Sequence, residues 1–372
     1  MLAILIQSHQ QNNKYLTSKM DKVFNMKSSI LASIIAVVFV ATGCSKNDRE
    51  EASEPVAEQR VSTQPVKVTR ANYHFAEAIR NAENYIKLGG ENKWGHFREI
   101  SAVGNTAPTV RMNWDTLYSV AVLDNTGGNI ELTIRESDVF QTILVLDDQA
   151  YSKHYFQEAG THKVVSDSPF VILIARTGIK DRNRKEDIAK AHKAQDGLVI
   201  SGQGDMPFAP TQYDKTSLEA LTAELQQEFL ASDGVLVYGQ FKDDVDEHKR
   251  LLTNAAGWGG MHDNINTYTS SVTMSGDVCR TVSFEDPMVG EFFSFTMYDD
   301  SGYLMDGNTA INSFNMDKNA DGTYTVSFNC GESAINNITS AGREFNYIVR
   351  AYAASEIVRS GEWNPVSPTI RE

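Results

Sequence analysis

The distribution of short apolar runs constrains the fold of this 372-residue chain more than any other feature of its sequence. Runs rich in β-branched and aromatic residues, bounded by Gly, Asp or Pro, are typical of short strands. A first group of such runs comprises residues 116–124, 130–135, 140–146 and 170–176. A second group comprises residues 268–274, 278–284, 292–298, 324–330 and 345–353. The sequence therefore predicts a β-rich fold with its strands in two separate regions.

A short internal repeat connects the two groups of predicted strands. Its members are Phe140, Asp147, Asp148 and Tyr151 in the first group, and Phe292, Asp299, Asp300 and Tyr303 in the second. In both groups a strand leads into an acidic turn, which fits a duplicated sandwich. We predict a mainly β fold with added helices, built as two antiparallel β-sandwich, jelly-roll-like domains.

Helical patterns precede and separate the two groups of strands. Apolar residues recur at i, i+4, i+7 and i+11 within residues 68–88, and Gly89-Gly90 ends this predicted helix. Further helical patterns occupy residues 185–195, 217–230 and 244–254. We expect these helices to cover sheet edges or to join the two halves.

The composition divides the chain into a leader, a tether and two folded domains. Residues 1–44 form a predicted lipoprotein signal peptide with a lipobox, and residues 45–66 are polar enough to predict a flexible tether. Residues 67–240 are the predicted N-terminal sandwich domain with helices, and residues 241–372 are the predicted C-terminal sandwich domain.

The signal prediction depends on an apolar run over residues 30–40, which follows Lys27 and is too short to span a bilayer. The run leads into Ala41-Thr42-Gly43-Cys44, which resembles a lipobox, the motif whose cysteine receives a lipid such as palmitate. Met26 is a candidate start of this signal. The alternative is an ordinary secretory signal in which Cys44 is incidental. With lipidation, Ser45 favours sorting to the outer membrane, and we expect a cell-envelope lipoprotein that faces the periplasm.

The acidic charge balance limits the partners that the chain is expected to bind. Lys and Arg number 34 and Asp and Glu number 48, which gives a formal net charge of −14. An anionic surface repels the phosphate backbone, so we expect no nucleic acid partner. It also repels anionic lipid, so acyl chains rather than charge would hold the protein to the membrane.

Known catalytic and metal-binding motifs are mostly absent from the sequence. It contains no G-x-S-x-G elbow, no Walker loop, no G-x-G-x-x-G after a strand and no H-E-x-x-H. Residues 317–322 match the first half of a calcium loop, but Phe328 stands where a bidentate Glu is required. A hairpin turn is the favoured interpretation, and we predict no metal and no cofactor. Cys279 and Cys330 lie in predicted strands, and the sequence leaves open whether they are bonded.

One segment concentrates polar side chains that are suited to binding. Residues 96–118 contain the candidate ligand contacts His96, Arg98, Arg111, Asn113, Asp115 and Tyr118. If residues 111–115 belong to a strand, alternate side chains share a face, and Arg111, Asn113 and Asp115 point together. The guanidinium of Arg donates bidentate hydrogen bonds to a carboxylate or a phosphate, whereas Asn and Asp form hydrogen bonds with hydroxyl groups. The alternative is a buried ion-pair network that fixes the entry to the first sandwich.

These residues carry a resemblance to a known family. Residues 96–99 (HFRE) and 111–119 (RMNWDTLYS) resemble the family called domain of unknown function 1254, which typically has Arg in place of Trp114. Residues 187–196 resemble the helical segment of the same domain. Residues 255–260, 292–303, 319–322 and 347–363 resemble its usual companion, domain of unknown function 1214. The resemblance spans about residues 72–368. It implies two jelly-roll-like sandwiches with added helices, and no established reaction.

Two classes of function fit these residues, besides an envelope assembly or scaffold protein that binds no small ligand. The first is a lipid-anchored protein that binds a small polar or glycan-like ligand near residues 96–118, with Trp258 and Trp363 as stacking or packing aromatics. The second is an envelope hydrolase, a glycosidase or esterase. Its acid and base would be Asp115 with His96, or Asp147 with Asp148.

Overall fold

The computed structural model describes residues 64–104, 111–232, 236–261 and 265–371. The predicted signal peptide, Cys44 and nearly all of the predicted tether lie outside the described residues. The described residues belong to one compact unit, Ser62–Glu372. No helix among them combines the length and the apolar character that crossing a membrane requires. The predicted domain boundary at residue 240 stays a prediction.

The helices and strands of the described residues agree with most of the predicted pattern. The α-helices are α1 (Tyr73–Lys87), α2 (Lys185–Asp196), α3 (Lys215–Ala231), α4 (Glu247–Ala256) and α5 (Glu356–Arg359). The strands of the N-terminal half are β1 (Gly95–His96), β2 (Thr116–Asp124), β3 (Glu131–Ile134), β4 (Gln141–Leu146), β5 (Ser152–Phe156), β6 (Gly160–Lys163), β7 (Phe170–Gly178) and β8 (Val199–Ser201). Those of the C-terminal half are β9 (Asn266–Ser270), β10 (Arg280–Phe284), β11 (Phe293–Tyr298), β12 (Ala310–Asn312), β13 (Tyr324–Phe328), β14 (Asn337–Ile338), β15 (Asn346–Tyr352) and β16 (Thr369–Ile370). The strands that the sequence did not predict are short.

The N-terminal strands form a sandwich of two sheets. The larger sheet has the order β1-β2-β7-β4-β5 and the smaller one the order β6-β3-β8, with antiparallel neighbours in both. Leu123 and Leu173 of the larger sheet share an apolar core with Leu132 of the smaller one. Because strand residues alternate between faces, the neighbouring Val122 points away from this core, into a second cluster with Ala82 of α1.

The C-terminal strands form a second sandwich. Its larger sheet has the order β12-β11-β15-β9 and its smaller sheet the order β14-β13-β10-β16, in which only the β13–β14 pair is parallel. Phe295 and Val349 of the larger sheet share an apolar core with Val326 of the smaller one. A disulfide joins Cys279 to Cys330, beside β10 and β13, which settles the pairing that the sequence left open. The predicted fold class, mainly β with two antiparallel sandwiches and added helices, is confirmed.

The internal repeat of the sequence corresponds to a repeat of the fold. The larger sheets contain matching strand orders, β2-β7-β4-β5 in the first and β9-β15-β11-β12 in the second. Matching acidic turns follow β4 and β11. In each turn the aspartate Oδ1, of Asp147 or Asp299, accepts from the backbone N–H groups two and four residues further on, at 2.8 to 3.0 Å. The two sandwiches therefore share one layout in their larger sheets.

Helices α1, α3 and α4 form a group with its own apolar cluster, which includes Tyr73, Leu225 and Leu252. The starts of α3 and α4 are fixed by the side chains of Asp214 and Asp246. Each accepts from a backbone N–H three residues further on, at 2.8 Å. Helices are thus present at all four predicted positions.

Two smaller predictions concern residues that the structure describes. The calcium-loop-like segment 317–322 is a turn, in which Lys318 pairs with Tyr324 and Gly322 has a φ of 88°. Glycine adopts this left-handed conformation without steric cost, which explains the residue type and confirms the hairpin interpretation. Val66, at the end of the predicted tether, is bonded to the folded body: its N–H donates to the carbonyl oxygen of Gln212 at 2.8 Å.

Candidate functional site

The polar segment before β2 is not a strand, which corrects the alternation predicted for residues 111–115. Strand β2 begins at Thr116, and Arg111 has a left-handed backbone with a φ of 59°. The Oδ1 of Asn113 accepts from the backbone N–H of Asp115 at 2.8 Å, which closes a tight turn. This turn directs Asn113 and Asp115 into the protein, where both side chains are buried.

Asp115 lies against the outer face of the second large sheet, the face that points away from its sandwich core. Its Oδ2 accepts from the Oγ of Ser294 in β11 at 2.5 Å, and Ser294 is paired with Arg350 in the sheet register. Burial raises the pKa of the Asp115 carboxyl, while the charge of Arg350 and the bond from Ser294 oppose that shift. The charged form of the Asp115 carboxyl is therefore less favourable in the folded protein than in water.

Arg350, which lies beside Ser294 on the same face of the sheet, also holds the 111–115 turn. Its Nη2 donates to the carbonyl oxygen of Arg111 at 3.1 Å and to the hydroxyl of Tyr298 at 2.5 Å. The Tyr298 hydroxyl donates in turn to the carbonyl oxygen of Met112 at 2.6 Å. These bonds attach the segment before β2 to strands β11 and β15 of the C-terminal half.

The side chains of Arg111 and Asn113 are used within the same network. The Arg111 guanidinium donates to Oδ1 of Asn346 and lies 5.1 Å from the ring centroid of Tyr298. The Nδ2 of Asn113 donates to the hydroxyl of Tyr352 at 2.5 Å. These contacts are in line with the alternative that a buried network fixes the entry to the first sandwich.

A pocket of about 240 Å³ lies beside this network, and we call it the Trp114 pocket. Its lining includes Trp114, Asp115, Arg182, Asn308, Asn312 and Asn315. The guanidinium carbon of Arg182 lies 3.7 Å from the Trp114 ring centroid, and its Nη2 donates to the carbonyl oxygen of Gly307 at 2.9 Å. Burial lowers the pKa of Arg182 to about 10, although the charge of Asp115 acts in the opposite direction.

Two asparagines of the Trp114 pocket, Asn312 and Asn315, are held in place by the loop that follows β7. The Nδ2 atoms of Asn312 and Asn315 donate to the carbonyl oxygen of Lys180 at 3.1 and 2.6 Å. The Oδ1 of Asn312 accepts from the backbone N–H of Phe314 at 3.1 Å. Because the protein itself fixes these side chains, a ligand that binds here would lose little free energy in ordering them.

His96 and Arg98 are predicted contacts that do not line the Trp114 pocket. The Nδ1 of His96 and the Oγ of Ser119 share a hydrogen bond of 2.8 Å. The Nη1 of Arg98 donates to the carbonyl oxygen of His192 at 2.9 Å, and its Nη2 pairs with Asp196. Arg98 therefore holds the end of α2, and both residues are bonded to partners other than those of Asp115.

The side chains of both acid–base pairs predicted for a hydrolase are hydrogen-bonded to other groups of the protein. His96 and Asp115 are bonded to different serines, on different strands. Asp147 accepts backbone N–H groups inside its turn, and Asp148 accepts from the Oγ of Ser168 at 2.8 Å. Among the described residues, no group of three His, Cys, Asp or Glu side chains is placed to hold a metal ion.

Trp258 and Trp363 take the packing role that the sequence offered as an alternative to ligand stacking. Trp363 is 7% exposed in the core of the second sandwich, and its Nε1 donates to the carbonyl oxygen of Glu285 at 3.2 Å. Trp258 packs against the cluster that contains Ile174 and Met261. Trp363 is therefore part of the interior and Trp258 is half-buried, and neither lines the Trp114 pocket.

The residues that sequence reasoning missed fall into two kinds. Arg182 and the asparagines of the pocket come from separate turns, and no local pattern marks them. The buried Arg176 and Arg350 do leave a signal, which is a single charged residue inside an otherwise apolar strand. Residues 170–178 are FVILIARTG and residues 346–352 are NYIVRAY. Arginine is rarely buried without a specific partner, so each of these positions indicates a special environment.

Comparison with known proteins supports the fold alone. The VPA0106 protein from Vibrio parahaemolyticus is similar in structure, with a TM-score of 0.61 and 15% sequence identity over 82% of this chain and 98% of that one. An uncharacterised protein from Burkholderia cenocepacia has a TM-score of 0.48 and 16% identity over 81% of this chain and 87% of that one. No family model and no curated protein matches the chain. The resemblance to the domains of unknown function 1254 and 1214 therefore stays a prediction.

Proposed function

We propose that this protein is a lipid-anchored protein of the bacterial cell envelope that binds a small polar ligand, such as a sugar, in the Trp114 pocket. The composition of the pocket lining supports this proposal. Its asparagines offer amide donors and acceptors, Asp115 offers an acceptor and Arg182 offers a cation. A ligand with several hydroxyl groups matches such a mixture better than an apolar ligand does.

The size of the pocket limits the ligand. Its volume of about 240 Å³ is below the range of roughly 300 to 1,000 Å³ that is typical of sites for drug-sized molecules. A molecule of monosaccharide size therefore fits better than a longer glycan, of which only a terminal unit would enter.

A hydrolase is the second candidate, and one observation favours it. Asp181 lines the same pocket as Asp115, and burial raises the pKa of Asp115. Two carboxyl groups in one pocket, one of them with a raised pKa, are the groups that glycoside hydrolysis uses. We favour binding because Asp115 is engaged by Ser294, and Asp181 accepts from the backbone N–H of Asn183 at 2.9 Å.

Isothermal titration of the purified full chain with neutral monosaccharides tests the binding proposal. We expect saturable binding of at least one sugar, and a loss of about tenfold in affinity for Asn315→Ala and for Arg182→Ala. Asn84→Ala, on the exposed side of α1, is the matched control and should bind as the wild type does. Binding that survives both pocket variants would place the ligand elsewhere.

Release of nitrophenol from aryl glycosides separates the two candidates. A binding protein gives no turnover, whereas a hydrolase gives turnover that Asp115→Asn abolishes. Failure of every sugar to bind, together with no turnover, would contradict a saccharide ligand in the Trp114 pocket.

Membrane fractionation tests the proposed anchor. Cys44→Ala removes the sulfur that would carry the lipid, so we expect the variant to move from the membrane fraction to the soluble fraction. A Cys44→Ala protein that remains with the membranes would contradict lipid anchoring.

A further inference from the structure

The two larger sheets carry a buried arginine at matching positions. In the sheet register, Arg176 of β7 is paired with Tyr118 of β2, and Arg350 of β15 is paired with Tyr268 of β9. Arg176 is 8% exposed and Arg350 is 3% exposed. Their neighbours along the strand, Ala175 and Ala351, belong to the two sandwich cores. Because strand residues alternate between faces, both arginines lie on the face of the sheet that points away from the core.

Arg176 has few partners for a buried guanidinium. Its Nη2 donates to the carbonyl oxygen of Gly259 at 3.0 Å, whereas its Nη1 is buried without a hydrogen-bond partner. Its guanidinium carbon lies 5.6 Å from the ring centroid of Tyr118. Within the described parts of the chain, Arg176 forms no salt bridge.

Tyrosines surround Arg176 where a carboxylate would be expected. The ionisable groups that act on it most strongly are Tyr118, Tyr268, Tyr352 and Tyr155. Burial lowers the pKa of Arg176, and the charges that these tyrosines carry once ionised raise it overall. A tyrosine hydroxyl ordinarily ionises at about pH 10, so at neutral pH these hydroxyls give Arg176 no counter-charge.

We propose that Arg176 binds a small oxyanion, a carboxylate or a phosphate group, with its unpaired Nη1 and the surrounding tyrosine hydroxyls as hydrogen-bond donors. Such an anion supplies the missing counter-charge and accepts the hydrogen bond that the protein leaves unmade. Tyr118 and Tyr155 are half-buried and Tyr268 is 42% exposed, so these side chains connect the guanidinium to the surface. Arg176 is not among the residues that line the Trp114 pocket, so this is a separate site.

Arg350 is not a second copy of the anion site. The negative charge of Asp115 acts on it, and its Nη2 is shared between Tyr298 and the carbonyl oxygen of Arg111. The Nη1 of Arg350 is also buried without a hydrogen-bond partner, so the two arginines differ in the acceptors at Nη2 and in the nearby charge of Asp115.

Titration of the full chain with sodium acetate and with inorganic phosphate tests the proposal. With ionic strength held constant by sodium chloride, we expect at least one anion to bind saturably and to raise the melting temperature. Arg176→Met removes the guanidinium but keeps an unbranched side chain, and it should weaken anion binding by about tenfold or more. A response to acetate alone identifies a carboxylate ligand, and a response to phosphate alone identifies a phosphate ligand.

Two further variants make the test specific. Tyr118→Phe removes one hydroxyl and should weaken anion binding several-fold, which provides a second measurement if Arg176→Met fails to fold. Arg182→Ala changes the Trp114 pocket and should keep the full anion response, so this proposal and the proposed sugar binding can fail independently.

Native mass spectrometry of the same samples detects an anion that stays bound to the protein through purification. An adduct on the wild type that is absent from Arg176→Met supports the proposal. An adduct or a titration response of equal size in both proteins overturns it. So does a wild-type protein that shows neither an adduct nor saturable binding of acetate or phosphate.

Discussion

The surroundings of Arg176 and Arg350 differ although the strands that carry them match. Each arginine lies on the strand beside the one that ends in the acidic turn, and each is paired with a tyrosine on its other side. Arg350 is bonded to Tyr298 and to the backbone of Arg111, within range of the charge of Asp115. Arg176 has one backbone carbonyl and a group of tyrosines.

The difference comes from the irregular segment 111–115, which brings carbonyl oxygens and a carboxylate to Arg350. Duplication of a sheet reproduces the position of a buried cation, because that position depends only on strand order and register. The acceptors come from connecting segments, which the repeat does not copy. One arginine is therefore used to hold the two halves of the chain together, and the other remains available to a ligand.

The largest difference between the two sandwiches should be the disulfide, since residues 67–240 contain no cysteine. Cys279 and Cys330 are 51 residues apart, and in the chain-entropy model a loop of that length corresponds to a stabilisation of about 4 kcal/mol. We expect the Cys279→Ser/Cys330→Ser variant to lose about that much free energy of unfolding in urea. Wild-type protein treated with dithiothreitol is the control and should lose a similar amount. A loss below about 1 kcal/mol would contradict this account.

Replacing the two buried arginines one at a time tests the comparison directly. Arg350→Met removes the stronger of the two positive charges that act on the buried Asp115, leaving that of Arg182, and should lower the free energy of unfolding by about 3 kcal/mol. Arg176→Met removes a buried cation that forms no salt bridge within the described parts of the chain, and in buffer free of acetate and phosphate it should change stability by less than about 1 kcal/mol. Urea denaturation of both variants measures the contrast. Equal losses would show that the two arginines have equivalent surroundings.

The sequence predicted those parts of the fold whose residues are neighbours along the chain. The predicted run 116–124 coincides with β2, because apolar β-branched residues fill it and polar residues bound it. Strand β6 was missed because most of its residues are exposed, and a polar edge strand resembles a loop. The acidic turns were predicted as a pair from their matching residues, and the structure gives both the same hydrogen bonds.

The candidate site was predicted only in part, for the same reason. Asp115 stood out because polar residues are dense around it, and it does line the Trp114 pocket. Arg182 and Asn312 could not be linked to it, since they lie far along the chain and meet it only after the halves fold together. The strand assumed for residues 111–115 was wrong because the backbone of Arg111 is left-handed, which breaks the alternation.

The pH dependence of stability tests the environment of Asp115, the group that distinguishes the Arg350 surroundings. Its folded pKa is raised by burial, so the folded protein holds this proton more strongly than the unfolded chain does. Protonated Asp115 therefore adds to the free energy of unfolding. This contribution is fully present below the unfolded pKa of about 4 and is lost as the pH rises through the folded pKa.

Relative to Asp115→Asn, which does not titrate, the wild type should therefore lose free energy of unfolding as the pH rises from about 4. The slope should not exceed about 1.4 kcal/mol per pH unit. Urea denaturation of both proteins over this range gives the difference, in which the other ionisable groups largely cancel. A difference that stays constant with pH would show that burial does not perturb Asp115.

The two acidic turns offer the smallest and most specific comparison, because the same left-handed position holds alanine in one turn and glycine in the other. Ala150 has a φ of 64° and Gly302 a φ of 88° at equivalent places in the two turns. A left-handed conformation costs alanine about 1 kcal/mol that glycine avoids, partly offset by the greater freedom of glycine in the unfolded chain. We expect Ala150→Gly to stabilise the protein by about 0.5 kcal/mol and Gly302→Ala to destabilise it by a similar amount. Urea denaturation resolves the signs, and the double variant should equal their sum because the turns share no bond. Effects of the same sign would mean that the turns are matched in sequence but not in conformational strain.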